Sequence, residues 1–374
     1  MQRLIRMNSN DYQKTKTDGT VYGISYVMLQ LSGSDFASPT RKRMKPMALA
    51  KYRNRIGTSL LALILQVTHA THFTTCQAQA VAQKPALESV DTSVEFPSEL
   101  VRWKVIAQVN PVFQGASGDA WDAKIRERGW IVRDGAQWRL YYTGYNVAQT
   151  ELRRLGMAIS DDGIHWKRSD RNPLIPNEWV EDISILKHDQ QWIMVAEGKN
   201  DIAHSFISDD GLDWRREGPL DIRLKNGNPI AEGPRGTPFL MFENGIWQLF
   251  YERGDAGVWL ARSSDRNVFT NVQDEPVIAL GPKAYDRGAV ALNQVLKIGD
   301  YYYAVLHANE KRPFGPYWTT TMARSKDLIH WNKCSADPLI KNNSSSGQIV
   351  PLDNGTLRMY TMHPEVRVYE QSSK

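Results

Sequence analysis

The sequence predicts an all-β fold, a five-bladed β-propeller in which the N-terminal strand closes the last blade. Three observations predict it. A turn followed by an aromatic-rich strand recurs five times along the chain. A Ser-Asp-type hairpin followed by a Pro-aliphatic segment recurs after the first four of these strands. The fifth Trp…Pro-aliphatic segment stands at the beginning of the array, not at its end.

The first unit reads Asp134-Gly135-Ala136-Gln137-Trp138-Arg139-Leu140-Tyr141-Tyr142. It returns at His188–Val195, Glu243–Tyr251, Gly299–Val305 and Asp353–Tyr360. Asp-Gly and Asn-Gly before an apolar run are hairpin signals. The second unit reads Ser160-Asp161-Asp162-Gly163-Ile164-His165-Trp166 and returns at Ser208–Trp214, in degenerate form at Ser264–Phe269, and at Ser325–Trp331. Each copy leads into a short strand, at Pro173-Leu174-Ile175, Pro219-Leu220, Pro276-Val277-Ile278 and Pro338-Leu339-Ile340. The missing copy runs from Trp103 to Pro111-Val112-Phe113. A first strand that completes the last blade hides both edges of a circular array. The array occupies residues 100–374, preceded by a linker over 81–99.

Ahead of it, residues 47–80 read as a secretory signal peptide. A basic run (Arg41 to Arg55) precedes the apolar Leu60–Val67, and Ala78-Gln79-Ala80 gives a small-x-small cleavage pattern. Residues 1–46 carry no strand or helix period and read as a non-native or disordered leader. The expected location is secreted or periplasmic, with no membrane association after cleavage. The formal charge is +5, but 11 of the 46 Lys+Arg and only 3 of the 41 Asp+Glu precede residue 81. The propeller itself is thus slightly acidic, which removes the electrostatic case for a nucleic-acid partner. Of the 2 cysteines, Cys76 and Cys334, one follows the cleavage point, so neither a disulfide nor a Cys-based zinc site is expected.

The innermost strand of each blade lines the axis, so the residues before each aromatic strand are the candidates for chemistry. They are Trp121-Asp122-Ala123-Lys124-Ile125-Arg126, Val180-Glu181-Asp182-Ile183, Ala231-Glu232-Gly233-Pro234-Arg235, Tyr285-Asp286-Arg287-Gly288 and Ser346-Gly347-Gln348. Acids from three blades that converge on one axis suit glycoside hydrolysis, where one carboxyl protonates the leaving oxygen and another activates water or attacks carbon. A third negative charge keeps the acid protonated.

The five blades and their ordered acids resemble the five-bladed glycosidases of glycoside hydrolase family 43 and its relatives, families 32, 62, 117 and 130. The resemblance covers about 270 residues. It implies Asp122 as base or nucleophile, Asp182 as the group that tunes the acid, and Glu232, in Glu232-Gly233-Pro234, as the acid. Two positions depart from family 43: Ala123 and Ile183 stand where Pro commonly follows the aspartate. Asp119 is a rival to Asp122, and Glu181 to Asp182. Arg126, Arg235, Asp286 and Arg287 are candidate substrate contacts, and Trp121, Tyr145 and Trp318 candidate stacking platforms. His307, which closes the blade-four aromatic strand, is a further candidate substrate contact; in related propellers a histidine near this region helps hold an axial metal or water. No cofactor is required, and a structural calcium near the axis is the metal this resemblance allows.

The expected activity is therefore hydrolysis of glycosidic bonds in plant or algal oligo- or polysaccharides, inverting if it follows family 43. Alternatives are a non-catalytic carbohydrate-binding propeller, a sialidase-like enzyme, and a glycoside phosphorylase drawing on Arg126, Arg235 and Arg287. The loops do not identify the sugar, and oligomeric state is left open.

Overall fold

The computed structural model describes residues 96–231, 233–335 and 338–372. Residues 1–46 and 47–80, read above as a leader and a signal peptide, and Glu232 lie outside them. Among the described residues no helix is long and apolar enough to cross a membrane.

Five antiparallel sheets follow one another along the chain. Blade one comprises Lys124–Asp134, Gln137–Tyr145, Arg154–Ser160 and Lys167–Arg168. Blade two comprises Glu181–His188, Gln191–Gly198, Ile202–Ser208 and Arg215–Pro219. Blade three has Gly236–Glu243, Ile246–Glu252, Gly257–Ser263 and Val268–Asn271, with Asp221–Arg223 added in parallel outside the last and Ile278–Ala279 paired to the third. Blade four has Ala289–Ile298, Tyr301–Asn309, Thr319–Ser325 and Asn332–Lys333. Blade five has Gln348–Pro351, Leu357–Thr361 and Arg367–Gln371. Its fourth strand is Trp103–Val105, with Trp103 opposite Gln371 and Val105 opposite Tyr369. The ring closes as the displaced Trp…Pro-aliphatic segment predicts.

The repeated motifs divide the work. The first and second strands of each blade are joined by two- to five-residue turns, Asp-Gly or Asn-Gly in blades one, three and five, Asp189-Gln190 in blade two and Gly299-Asp300 in blade four. The Ser-Asp units join the third strand to the fourth. In blade one Ser160 Oγ accepts the Gly163 amide at 2.9 Å, and Asp162 Oδ1 accepts the Ile164 and His165 amides at 2.8 and 2.9 Å. Gly163 has φ +73°; Gly211, Arg266 and Leu328 hold the same left-handed place in the other copies. These turns also clasp neighbouring blades. Tyr360 Oη donates to Gly163 O, and Tyr141 Oη to Gly211 O, both at 2.9 Å. The recurring turn is thus a joint between blades as well as a hairpin.

At the axis the blades are sutured by polar side chains. Gln348 exchanges two hydrogen bonds with the Ile131 backbone of blade one, and Gln294 two with the Ile349 backbone of blade five, all at 2.8–3.0 Å. Arg128 of blade one is fully buried. Its guanidinium donates to Asp182 O and Ile183 O of blade two, Pro238 O of blade three, and Leu292 O and Asn293 O of blade four, at 2.5–3.2 Å. Burial brings its pKa down to about 10 despite the nearby charges of Asp182 and Glu197. It therefore remains a cation at neutral pH, solvated by carbonyls in place of water.

Candidate active site

A bulge interrupts the innermost strand in blades one to four, between Arg126 and Trp130, Glu181 and Ser184, Gly236 and Phe239, and Leu292 and Gln294. Within three of these bulges a non-glycine residue takes positive φ: Glu127 (58°), Asp182 (48°) and Thr237 (43°). A bulge re-aims a side chain and breaks the pleat. Here all three side chains turn into one cavity of about 360 Å³. The second strand of each blade runs antiparallel to the first, so its end arrives at the same mouth. That brings in Tyr145, Glu197, Glu252 and His307. Loops add Asp201, Asp255, Phe314, Trp318 and His363.

Among the described residues, seven carboxyl groups thus share the wall: Glu127, Glu181, Asp182, Glu197, Asp201, Glu252 and Asp255. Burial raises Glu127 to about 8, helped by the charge of Asp182 and opposed by Arg126. Burial raises Glu252 to about 8 as well, helped by Asp255. Glu197 is pushed well above the usual carboxylate range by burial and by Asp182. Glu181 is raised by burial and by Asp182, and opposed by Arg126. Several acids that hold their protons near neutral pH beside a neighbouring negative charge make a proton-donating site.

The cations are already committed. Arg126 contacts Glu127 through Nη2 and Glu181 Oε1 through Nε at 3.2 Å. Glu181 Oε2 also accepts from Trp179 Nε1 at 2.8 Å and lies 4.0 Å from Arg153 Nε. Asp182 Oδ1 accepts the Arg128 amide at 3.0 Å, which fixes its carboxylate on the axis. His307 Nδ1 pairs with Asn293 Oδ1 at 2.8 Å, leaving Nε2 toward Asp255 Oδ1 at 3.7 Å. His363 is lowered to about 4 by burial, Arg126 and His307, so its 3.7 Å approach to Glu127 is not an ion pair at neutral pH. Trp318 meets the His307 ring edge-on at 5.2 Å and packs against Phe314 at 5.1 Å, giving the mouth an aromatic side.

Of the residues singled out from sequence, Asp182, Arg126 and His307 line this cavity, as do Tyr145, Trp318 and the rival Glu181. Asp122 does not. It precedes the innermost strand and is buried, accepting from Tyr142 Oη at 2.8 Å and Arg168 Nε at 2.7 Å. Arg168 sits on the outermost strand of the blade, so Asp122 ties inner segment to outer edge instead of facing the axis. Trp121 stacks on Tyr142 beside it. Asp286 is fully buried against Lys333 Nζ, again on an outermost strand. The Arg235 amide donates to Asp201 O at 2.7 Å, and neither Arg235 nor Arg287 lines the cavity. Glu232 lies outside the described residues. Among the described residues no group of three or more His, Cys, Asp or Glu has metal-holding geometry.

Sequence reasoning missed Glu127, Glu197, Thr237, Glu252 and Asp255. A signal for the first strands existed. Counting back about ten residues from Trp138, Trp192 and Trp247 reaches Glu127, Asp182 and Thr237, the bulge positions. The family-like Glu-Gly-Pro lies several residues upstream of that register.

No family model matches the chain. A curated relative, the β-1,2-mannobiose phosphorylase of Thermoanaerobacter sp. (strain X514), is 29% identical over 172 residues, covering 40% of this chain. The matched region spans 54% of that relative, about half its length. Among solved structures, a Parabacteroides distasonis protein assigned to the glycoside hydrolases superposes with TM-score 0.60 at 16% identity, covering 73% of this chain and 97% of its own. A Bacteroides ovatus glycosyl hydrolase gives TM-score 0.55 at 14% identity, covering 74% and 95%. The catalytic domain of the Coprinopsis cinerea family 62 α-L-arabinofuranosidase gives 0.55 at 12%, covering 74% and 98%. The chain therefore has the five-bladed propeller fold of these glycoside hydrolases.

Proposed function

We propose that the chain hydrolyses glycosidic bonds of plant or algal oligosaccharides in the axial cavity, outside the cytoplasm. The observation that carries this reading is the convergence of seven carboxyl groups, several held protonated near neutral pH, under an aromatic rim. Hydrolysis of an acetal needs a proton donor and a water-activating or attacking carboxylate on opposite sides of the bond. Asp182 serves as the tuning charge: it is anchored by the Arg128 amide and raises both Glu127 and Glu197. Trp318, Phe314 and Tyr145 offer ring faces to a sugar.

Phosphorolysis is the second reading, favoured by the partial match to a mannobiose phosphorylase. The cavity argues against it, because Arg126, the cation of its wall among the described residues, is engaged by Glu127 and Glu181.

The test is product analysis with a panel of arabinan, xylan, fructan, agar and mannan oligosaccharides, with and without inorganic phosphate, for the parent and Asp182→Asn. Hydrolysis predicts free reducing sugar independent of phosphate and a loss of about 10²- to 10⁴-fold in the variant. Phosphate-dependent sugar 1-phosphate selects phosphorolysis. Binding without turnover in either protein selects a lectin-like role. Export is tested by the N-terminal sequence of the mature protein, expected to begin just after Ala80.

A further inference from the structure

Gly236 stands directly opposite Glu252 at the mouth of blade three. It lies on ordinary strand backbone, so its lack of a side chain is not a matter of φ. It is a matter of space. A Cβ at this position would fall 2.5 Å from Glu197 Oε2 of blade two and closer still to Glu252 Oε1. The two oxygens therefore lie within roughly 5 Å of each other, on either side of the vacant side-chain position.

Both carboxyl groups are more than nine-tenths buried and both line the cavity. Each is held by one oxygen's partner in the wall. Glu197 Oε2 accepts the Thr237 amide at 2.9 Å, and Glu252 Oε2 accepts the Asp255 amide. Among the described residues Glu252 Oε1 accepts no hydrogen bond. Among the described residues neither Glu197 nor Glu252 has a Lys, Arg or His ion-pair partner. Two buried carboxylates at this separation cannot both ionise near neutral pH without a large cost.

We propose that Glu197 and Glu252 form a proton-sharing carboxyl pair across Gly236, and that this pair protonates the leaving oxygen of a glycoside bound in the axial cavity. The donor role rests on the glycosidase reading; the pairing does not. In the step, the bond from anomeric carbon to leaving oxygen breaks and its electron pair stays on that oxygen, which takes the shared proton. Water supplies hydroxide to the anomeric carbon and gives its other proton to a carboxylate of the wall. Exchange with solvent returns a proton to the pair. Directly after transfer both members are anions, a repulsion that reprotonation relieves.

The test uses the full chain with Gly236→Ala, Glu197→Gln and Glu252→Gln, checked for an unchanged circular-dichroism spectrum. Infrared spectra of glutamate-isotope-labelled protein, parent minus variant at pH 7, should show one protonated carboxyl lost in each Gln variant. With its neighbour uncharged, the partner left behind no longer meets a second carboxylate across Gly236, and its pKa falls. The alkaline limb of the kcat/KM profile should move acidward by at least one pH unit in all three variants. A parent-minus-variant spectrum that shows no protonated carboxyl lost in either Gln variant would overturn the pairing. An unmoved alkaline limb, with activity merely reduced, would assign both glutamates a structural role. Loss of the infrared band from a protein that cleaves no glycoside would keep the pairing and overturn the donor role.

Discussion

Replacing Arg128 by methionine removes the cation that five carbonyls of three blades share while keeping much of the side-chain volume. Each buried acceptor left without its partner costs about 1–3 kcal/mol. Five of them give about 5–15 kcal/mol at the outset. The substitution also relieves the cost of burying a charge. That cost is visible in the drop of the guanidinium pKa from 12.5 to about 10, equivalent to about 3 kcal/mol. The expected net destabilisation is therefore about 5 kcal/mol, with about 2 kcal/mol as the floor. Arg128→Lys should recover less than half, since an ammonium has three donors and cannot span carbonyls that a planar fork reaches. Urea unfolding followed by tryptophan fluorescence measures this directly. A loss below about 1 kcal/mol with an unchanged m-value would refute the claim that the guanidinium holds the axis together.

Other expectations follow from the same geometry. Glu127 and Glu252 have folded pKa values of about 8, above the unfolded value near 4.5, so the folded state binds extra protons between these limits. Their contribution is complete below about pH 4.5 and is lost as pH rises through about 8, so the urea midpoint should fall from about pH 5 to about pH 9. A midpoint that rises over this window would contradict the assigned directions. Asp162 and Asp327 have the opposite sign: each is held below its usual range, against some burial, by backbone amides and a histidine in its turn. Their stabilisation is present above about pH 4 and fades on acidification, and Asp162→Ala should remove part of that acid sensitivity. Trp318→Ala should raise KM for oligosaccharide about 5- to 50-fold with a smaller change in kcat, if the ring binds ground and transition states alike; a change confined to kcat would place the ring in the chemistry instead.

The ring itself was legible because its determinants are local and repeated. Asp-Gly turns, Ser-Asp turns and aromatic strands each specify a short element, and a displaced first copy implies closure. The site was legible only in part. Asp182 was found because it leads an innermost strand. Glu127 was hidden because a bulge advances the cavity-facing position past the start of the strand, whereas Asp122 precedes that strand and is held by Tyr142 and Arg168 of its own blade. Glu197 and Glu252 close second strands, and only antiparallel pairing shows that a strand's end meets its neighbour's beginning. Gly236 carried no chemical signal in the sequence. Its meaning is the space it leaves, which depends on two side chains from different blades.

The join in blade five has a consequence for synthesis. Trp103–Val105 is among the first parts of the ring to be made, and its hydrogen-bonding partner Arg367–Gln371 is the last. The opening strand must wait, unpaired, while four complete blades are translated, so closure follows emergence of the final segment from the ribosome. The two ends then lie side by side, with the Ser372 amide donating to Arg102 O at 3.0 Å. A short peptide joining them should allow the chain to be opened in an outer loop of another blade and still form the same ring. The order of the blades along the gene is then separable from their order around the axis.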